Sequence, residues 1–409
     1  MIQLSPRGQA VYQLLGLSVA LLLLYGVGFL ASAMQLLPAR PLGDLLQHSQ
    51  VERFTERVFQ LALLSAIVSG GIMMAGADMR QGNALWLRRI WTALAIVSVF
   101  LSPFTSALPL DLALALALLY TLAASRGSAR ATIVLRLWQI GLALIVFSTI
   151  APHLFEGRAL EGIGAFRLQV AFPIAGLSLM FWLMKRYSRV EEDWVNDGAR
   201  IVSLLVFLGG SLISLGRLGL PAIASLAATA LIPLCYIILA GHSYRALSSR
   251  NENASLAPHW VAAATLFWLV GGGFLGALSI QPGISEAMRG TSLAAAQDWL
   301  AGWVQLAIAL AFVNESASSL RGDNRRVTGF MPLWLIAFGA GLAAILLACR
   351  GVVQITLRDA AALEAAAQAA LLLPLTTVWI ICLLAVAAGI ALYALGFWLR
   401  LSPGRVVGL

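Results

Sequence analysis

Twelve apolar stretches fill this chain, and they leave little room for anything but a bundle of membrane-crossing helices. They fall at 11–34, 57–77, 88–107, 109–125, 132–152, 165–185, 199–217, 219–241, 259–280, 293–314, 330–350 and 374–398. A helix needs roughly 20 apolar residues to cross the hydrocarbon layer, and each stretch comes close to that or exceeds it. Only 11% of the 409 residues are charged and 60% are hydrophobic, whereas a soluble domain carries about 25% charged residues. The expected fold is therefore all-α and polytopic, with residues 1–409 forming a single transmembrane domain. The first stretch is too long for a signal-peptide core and lacks a cleavage motif, so it is expected to be retained as a helix.

Charge sets the expected orientation. With the N-terminus inside, the inner segments hold Arg7, Arg80, Arg88, Arg89, Arg126, Arg130, Arg136, Lys185, Arg186, Arg189, Arg200, Arg245, Arg250, Arg321, Arg325, Arg326, Arg400 and Arg405. Those are 18 of the 27 basic residues, and the outer segments hold the other 9. This bias predicts both termini in the cytoplasm and places the protein in a bacterial inner membrane. The net charge of +9 reflects topology. Its cations are spread over short loops rather than gathered in a patch, which argues against a nucleic-acid partner.

Three connections are longer. The outer segment 35–56 carries Arg40, Asp44, Glu52, Arg53 and Glu56; the inner segment 186–198 carries Glu191, Glu192, Asp193 and Asp197. The outer segment 351–373 has an Ala-rich run, expected as an amphipathic helix at the interface. All three read as solvated or headgroup-facing links, with docking of neighbouring subunits as the alternative. Gly70 and Gly71, Gly209 and Gly210, and Gly272 with Gly276 predict close helix approach. Cys235, Cys349 and Cys382 lie within spans without metal-binding spacing and read as small apolar residues. In segment 77–89, Gly76, Asp78, Arg80 and Gly82 faintly resemble a major-facilitator loop motif. The spacing is wrong and no second copy follows span eight, so the likeness reads as chance.

Intramembrane charge flags transport or proton paths. Asp298 in span ten is the carboxylate expected clearly inside a span. Its functional reading is a protonatable or ion-binding site. Its ordinary reading is a structural carboxylate near the outer interface, paired with Arg289 or an outer-loop Arg. Arg136 and Arg167 lie about one turn inside their helices and are expected to snorkel. Glu315 is expected to reach headgroups or water at the inner end of span ten. His48, His153, His242 and His259 all fall in predicted loops or helix ends. His242 and His259 flank one inner loop, a weak basis for a metal site, and the expectation is that no metal is bound.

The run Met288–Trp303, MRGTSLAAAQDWLAGW, resembles the tenth helix of heme-copper oxidase subunit I, especially the cbb3-oxidase and nitric-oxide-reductase branches. There a Gly-Thr precedes an H-x-H pair, the first His six residues after the Thr. Counted from Thr291, those positions hold Gln297 and Trp299. Twelve helices with both termini inside, a basic Gly-containing loop after span two (Arg80-Gln81-Gly82), and Gly351-Val352-Val353-Gln354 after span eleven are similar as well. The resemblance implies heme and copper or iron held by histidines on helices two, six, seven and ten, and these spans contain no His. Gln297 and Trp299 are thus degenerate ligand positions, with bulky Trp299 expected to fill part of the vacated heme space. Imidazole is the ligand this chemistry requires, so oxygen or nitric oxide reduction is not expected, no catalytic residue is assigned, and no cofactor is expected. The implied role is a non-catalytic accessory subunit of a respiratory or other electron-transfer complex. Its implied partners are cytochrome-containing membrane subunits, lipids and quinone. The competing expectation is a twelve-helix secondary transporter or lipid-handling carrier that uses Asp298.

Overall fold

The computed structural model describes residues 5–36, 48–76, 79–125, 132–218, 222–250, 255–281, 283–321, 328–359 and 365–401. Among these described residues, twelve helices are long and apolar enough to cross a membrane: α1 Pro6–Met34, α2 Ser49–Ala75, α3 Gln81–Leu101, α4 Ala107–Ser125, α5 Ile133–His153, α6 Ala159–Tyr187, α7 Glu192–Gly216, α8 Ile223–Ser248, α9 Ala257–Ser279, α10 Ser292–Leu320, α11 Phe330–Arg358 and α12 Ala370–Leu399. The described residues contain no strand, only an isolated bridge between Ser188 and Arg250. The protein is an all-α polytopic membrane bundle. In hydrocarbon the backbone must satisfy its own polar groups, and a helix does so within one segment.

Local sequence explains several helix ends. Ser5 caps α1 by accepting from the Gly8 amide at 3.2 Å, with Pro6 at the first helical position. Thr132 caps α5 by accepting from Leu135 N at 3.3 Å. The start of α10 borrows its acceptor: Gln354 Oε1 on α11 takes a hydrogen bond from Ser292 N at 2.7 Å. The Gly-x-x-Gln segment thereby locks α11 onto α10. A Cβ on Gly351 would sit 2.2 Å from Leu293 N, so only glycine lets Gln354 come this close. Gln354→Leu strips that acceptor and is expected to cost about 1 kcal/mol, the usual worth of a helix cap. The check is thermal unfolding in detergent, and an unchanged midpoint would show that the cap carries no weight.

The helices form a centre and a surround. The most apolar window of α10 is 89% buried, that of α2 78% and that of α6 72%, while α3 reaches only 28%. These three central helices touch one another, and the other nine pack around them. Exposed large apolar side chains such as Phe100, Leu116, Ile223 and Phe338 belong to the surrounding helices and face the position of lipid.

The glycines expected to permit close packing do so. A Cβ on Gly71 of α2 would lie 2.0 Å from the Trp138 ring of α5, and Trp138 Nε1 donates to Ile67 O at 2.8 Å. Gly272 of α9 meets the Tyr236 ring, and Gly276 meets Ile213. Gly209 packs against Cys235, which is buried, while Cys349 is exposed.

Two π-helical turns interrupt the bundle, Arg167–Ala171 in α6 and Leu269–Leu275 in α9. The first has a local cause. Pro173 has no N–H to offer the Gln169 carbonyl, and its ring crowds that oxygen. The turn widens, Phe172 N bonds Arg167 O, and Gln169 O points out toward Gly210 of α7.

Several expectations change. The outer segment 35–56 is not all loop: helix begins at His48, so Glu52, Arg53 and Glu56 stand on the upper turns of α2. The 351–373 segment is mostly the ends of two long helices, Phe330–Asp359 and Ala365–Leu401, with residues 360–364 outside the described set. Helix propensity in the Ala-rich run extends the spans instead of making a separate interfacial helix. Glu192, Asp193 and Asp197 lie on α7, where Lys185 pairs with Glu192 and Arg200 with Asp197 at 3.3 Å. Glu315 does not reach freely into water: it accepts from Ser255 Oγ at 2.7 Å and lies 3.6 Å from Arg186 Nε. Gly76 adopts φ +54° and its carbonyl accepts from Arg7 Nη1 at 2.8 Å, while Asp78 lies outside the described residues.

Candidate functional site

A cavity of about 680 Å³ opens among α2, α6, α10 and the α9–α10 connection, at the predicted outer end. All three helices run downward from that end, so residue number measures depth at 1.5 Å per residue. On α2 the wall descends through Glu52, Glu56 and Gln60, one turn apart on one face. On α6 it descends from Glu161 to Arg167, and on α10 from Ala294 to Gln297 and Asp298. Arg289 stands on the rim, just after the short helix Ile284–Met288. The apolar part of the lining includes Phe59, Leu168 and Phe172.

The lining mixes both signs of charge: Asp298 follows Gln297 on α10, and Glu56 is an electrostatic neighbour of Arg167. Glu52, Glu56, Glu161 and Arg289 are exposed, and Arg289 Nε lies 4.0 Å from Glu161 Oε2. Gln60 Nε2 donates to Glu56 Oε1 at 3.1 Å. Deeper, Arg167 Nη2 donates to Ser148 O at 2.8 Å, but its buried Nε has no hydrogen-bond partner. Gln297 is 1% exposed and its Nε2 likewise has none. A buried donor left unsatisfied costs about 1–3 kcal/mol, and both of these belong to side chains of the cavity lining. Gln169, in the π-helical turn beside Arg167, is also buried with both amide atoms unpartnered. π-Helical turns recur at functional sites.

Beside this cavity lies a smaller one of about 120 Å³, which shares Glu56, Gln60 and Arg167 with it. Its wall holds a buried ion pair, Arg57 Nη1 to Asp111 Oδ1 at 2.7 Å, with His153 Nε2 2.9 Å from Asp111 Oδ2. Side-chain exposures of 9% for Arg57 and 11% for Asp111 place this pair away from water. Arg167 has Glu56 and Asp111 as favourable electrostatic neighbours and Arg57 as an unfavourable one.

The structure brings Asp298, Arg289 and Gln297 to one cavity and sends Trp299 elsewhere. Trp299 turns to the other side of α10, against Phe29 of α1, Trp303 and Trp379 of α12, and donates from Nε1 to Ala340 O of α11 at 3.1 Å. Asp298 is not the lone carboxylate inside a span. Asp111 in α4 is 8% exposed, and Glu56 lies within α2. Arg167 does not snorkel but binds the Ser148 carbonyl, whereas Arg136 is exposed. His242 lies inside α8, not at a helix end: its ring packs on Trp194, and its neighbour across the interface is Gly198. His259 meets Phe330, so the two histidines face different partners.

These residues do not fit a heme group. The Gln297 position ends in an amide on the polar cavity, and the Trp299 indole is spent on packing and on a carbonyl. Among the described residues no group of three or more His, Cys, Asp or Glu side chains could hold a metal ion. No chemical step through such a group follows from this geometry.

Fold and site together define a class, a multi-pass membrane bundle with a charged cavity at one end of its central helices. No protein-family model and no curated protein matches the chain.

Proposed function

We propose that this chain is a non-catalytic membrane subunit, a body related in layout to heme-copper oxidase subunit I, that supports a respiratory or other electron-transfer complex. It sits in a bacterial inner membrane with both termini cytoplasmic, and its partners are cytochrome-containing subunits and membrane lipids, with quinone among the candidate ligands. One observation carries the reading. The two positions that match the family's H-x-H pair are put to other uses, Trp299 to an aromatic cluster with Phe29, Trp303 and Trp379 and Gln297 to a cavity wall. The burial of α2, α6 and α10 also supports it, since these are three of the four helices that bear ligands in that family.

The test is a mild-detergent purification of the tagged chain with identification of its companions. Stoichiometric cytochrome subunits are expected. Recovery as a monomer or homodimer without them would contradict the reading.

A second reading has its own observation. The outer cavity, with Asp298 at depth and Arg289 at its rim, gives a lipid-handling carrier or secondary transporter somewhere to hold a ligand. Asp298→Asn would then abolish ligand uptake into vesicles, whereas the subunit reading leaves any such flux at background.

A further inference from the structure

We propose that the groove between α1 and α3, at the predicted inner end, is a docking site for an anionic phospholipid whose phosphate carries an uncharged glycerol headgroup. The inference goes beyond the subunit and carrier readings and needs neither. The groove has a volume of about 440 Å³ and is lined by Gln13 of α1 and by Arg88, Arg89, Thr92, Ala93 and Ile96 of α3. The two helices pack side by side and start at the same end, where Arg7 of α1 holds the Gly76 carbonyl shortly before α3 begins. Gln13 is seven residues past Pro6, and Arg88 is seven past Gln81. At 1.5 Å per residue both lie roughly 10 Å along their helices, at one level.

The polar groups at that level reach open space: Gln13 and Arg89 are exposed and Arg88 is half-buried. The sequence supplies almost no acid to answer them. α1 and α3 contain no Asp or Glu, and across residues 1–43, 57–110 and 112–155 the only acid is Asp78, which lies outside the described residues. The same end of α1 to α5 carries Arg7, Arg80, Arg88, Arg89, Arg126, Arg130 and Arg136. The α6–α7 corner differs, since Lys185 pairs there with Glu192 and Arg200 with Asp197. A phosphate supplies the missing negative charge, and a guanidinium can take two of its oxygens at once. The Gln13 amide and the Thr92 hydroxyl suit a glycerol headgroup, which both donates and accepts hydrogen bonds. An ethanolamine headgroup would instead bring an ammonium against two guanidinium groups. The level also suits a headgroup. The Arg89 guanidinium lies 5.6 Å from the ring centre of Trp86, which is exposed, and tryptophan collects at the membrane–water boundary. Beyond Arg89 the groove turns apolar through Ala93 and Ile96, and exposed Phe100 continues the line. Arg89 to Phe100 spans roughly 16 Å of helix, about half of a hydrocarbon core roughly 30 Å thick, which is the depth of one acyl chain. A soluble anion would leave that apolar line uncovered, so the occupant is a lipid.

The experiment uses the full chain, purified in mild detergent, stripped of lipid and returned to nanodiscs of phosphatidylglycerol and phosphatidylethanolamine in equal parts with the same acyl chains. Native mass spectrometry reads which lipid stays bound when the disc is removed. Retention of the glycerol lipid is expected to exceed that of the ethanolamine lipid by about tenfold. Arg88→Gln combined with Arg89→Gln should cut that preference about tenfold, the usual effect of losing charge-assisted hydrogen bonds. Gln13→Glu keeps both arginines but gives them a carboxylate within the groove, and should cut the preference to a similar degree while the thermal midpoint stays within a few degrees. Arg136→Gln removes an exposed cation from the same end of α5 and should leave the preference intact. Soluble glycerol phosphate should not displace the lipid. Equal retention of the two lipids, an unchanged preference in both groove variants, an equal loss in Arg136→Gln, or displacement by glycerol phosphate would overturn the proposal.

Discussion

Gly210→Ala is expected to be among the most damaging single substitutions in this protein. A Cβ there would lie 2.1 Å from the Gln169 carbonyl oxygen and 2.8 Å from its carbon. That carbonyl cannot swing away, because it belongs to the backbone of the π-helical turn set by Pro173. To relieve the clash, α7 must move off α6. Overpacking in a well-filled core costs about 1–3 kcal/mol, and more where the obstacle is backbone, so the variant should sit at or above the top of that range. Gly241→Ala is the control: it lies in α8, and an added Cβ meets nothing within 4 Å. There the gain in helix propensity, roughly 0.5–1 kcal/mol, should show as a small rise in thermal midpoint. Equal midpoints for the two variants would show that the α6–α7 contact is looser than described.

The second large effect belongs to Asp111. Asp111→Asn removes the negative partner of Arg57 and of His153 at one stroke. It leaves a guanidinium whose side chain is 9% exposed with no countercharge at 2.7 Å. Breaking one side of a buried pair typically costs about 3–5 kcal/mol, whereas replacing both sides with apolar groups of similar size is often neutral or stabilising. The double variant Arg57→Met with Asp111→Leu should therefore be far more stable than Asp111→Asn alone. Denaturant titration in detergent reads the difference. If the single and double variants lose the same stability, the pair is worth its full Coulomb energy and the desolvation argument fails.

The spans were legible because hydrocarbon demands long apolar runs, and all twelve lie where the runs lie. The charged ends of the spans were not. A hydropathy window stops at the first cluster of charges, so Glu52 and Glu56 read as loop and Arg57 as the first residue of a span, although α2 runs through all three. The usable signal was the one-turn spacing of Glu52, Glu56 and Gln60, which puts all three on a single helix face. Asp111 stands third in the stretch 109–125, and nothing in that stretch points to its partners Arg57 on α2 and His153 on α5. Asp298 is legible because an isolated carboxylate in an apolar run has no such cover, and Arg289 because it is the cation that most closely precedes it. The length of Arg167 suits snorkelling, yet the Ser148 carbonyl offers a nearer partner. The separation of Gln297 from Trp299 follows from helix geometry, since residues two apart on a helix point about 200° apart. What each of the two meets depends on α9 and α12, which the sequence of α10 does not encode.

We propose that Gln297 and Trp299, the positions that resemble oxidase heme ligands, serve a polar cavity and packing rather than heme. The most direct test is the absorption spectrum of the isolated, folded chain after its partners have been removed, with heme quantified per polypeptide. No Soret band and heme far below one per chain are expected, with all heme of the proposed complex assigned to the partner subunits. A Soret band at stoichiometric heme that survives removal of the partners would contradict it, and would require the interior around Trp299 to open.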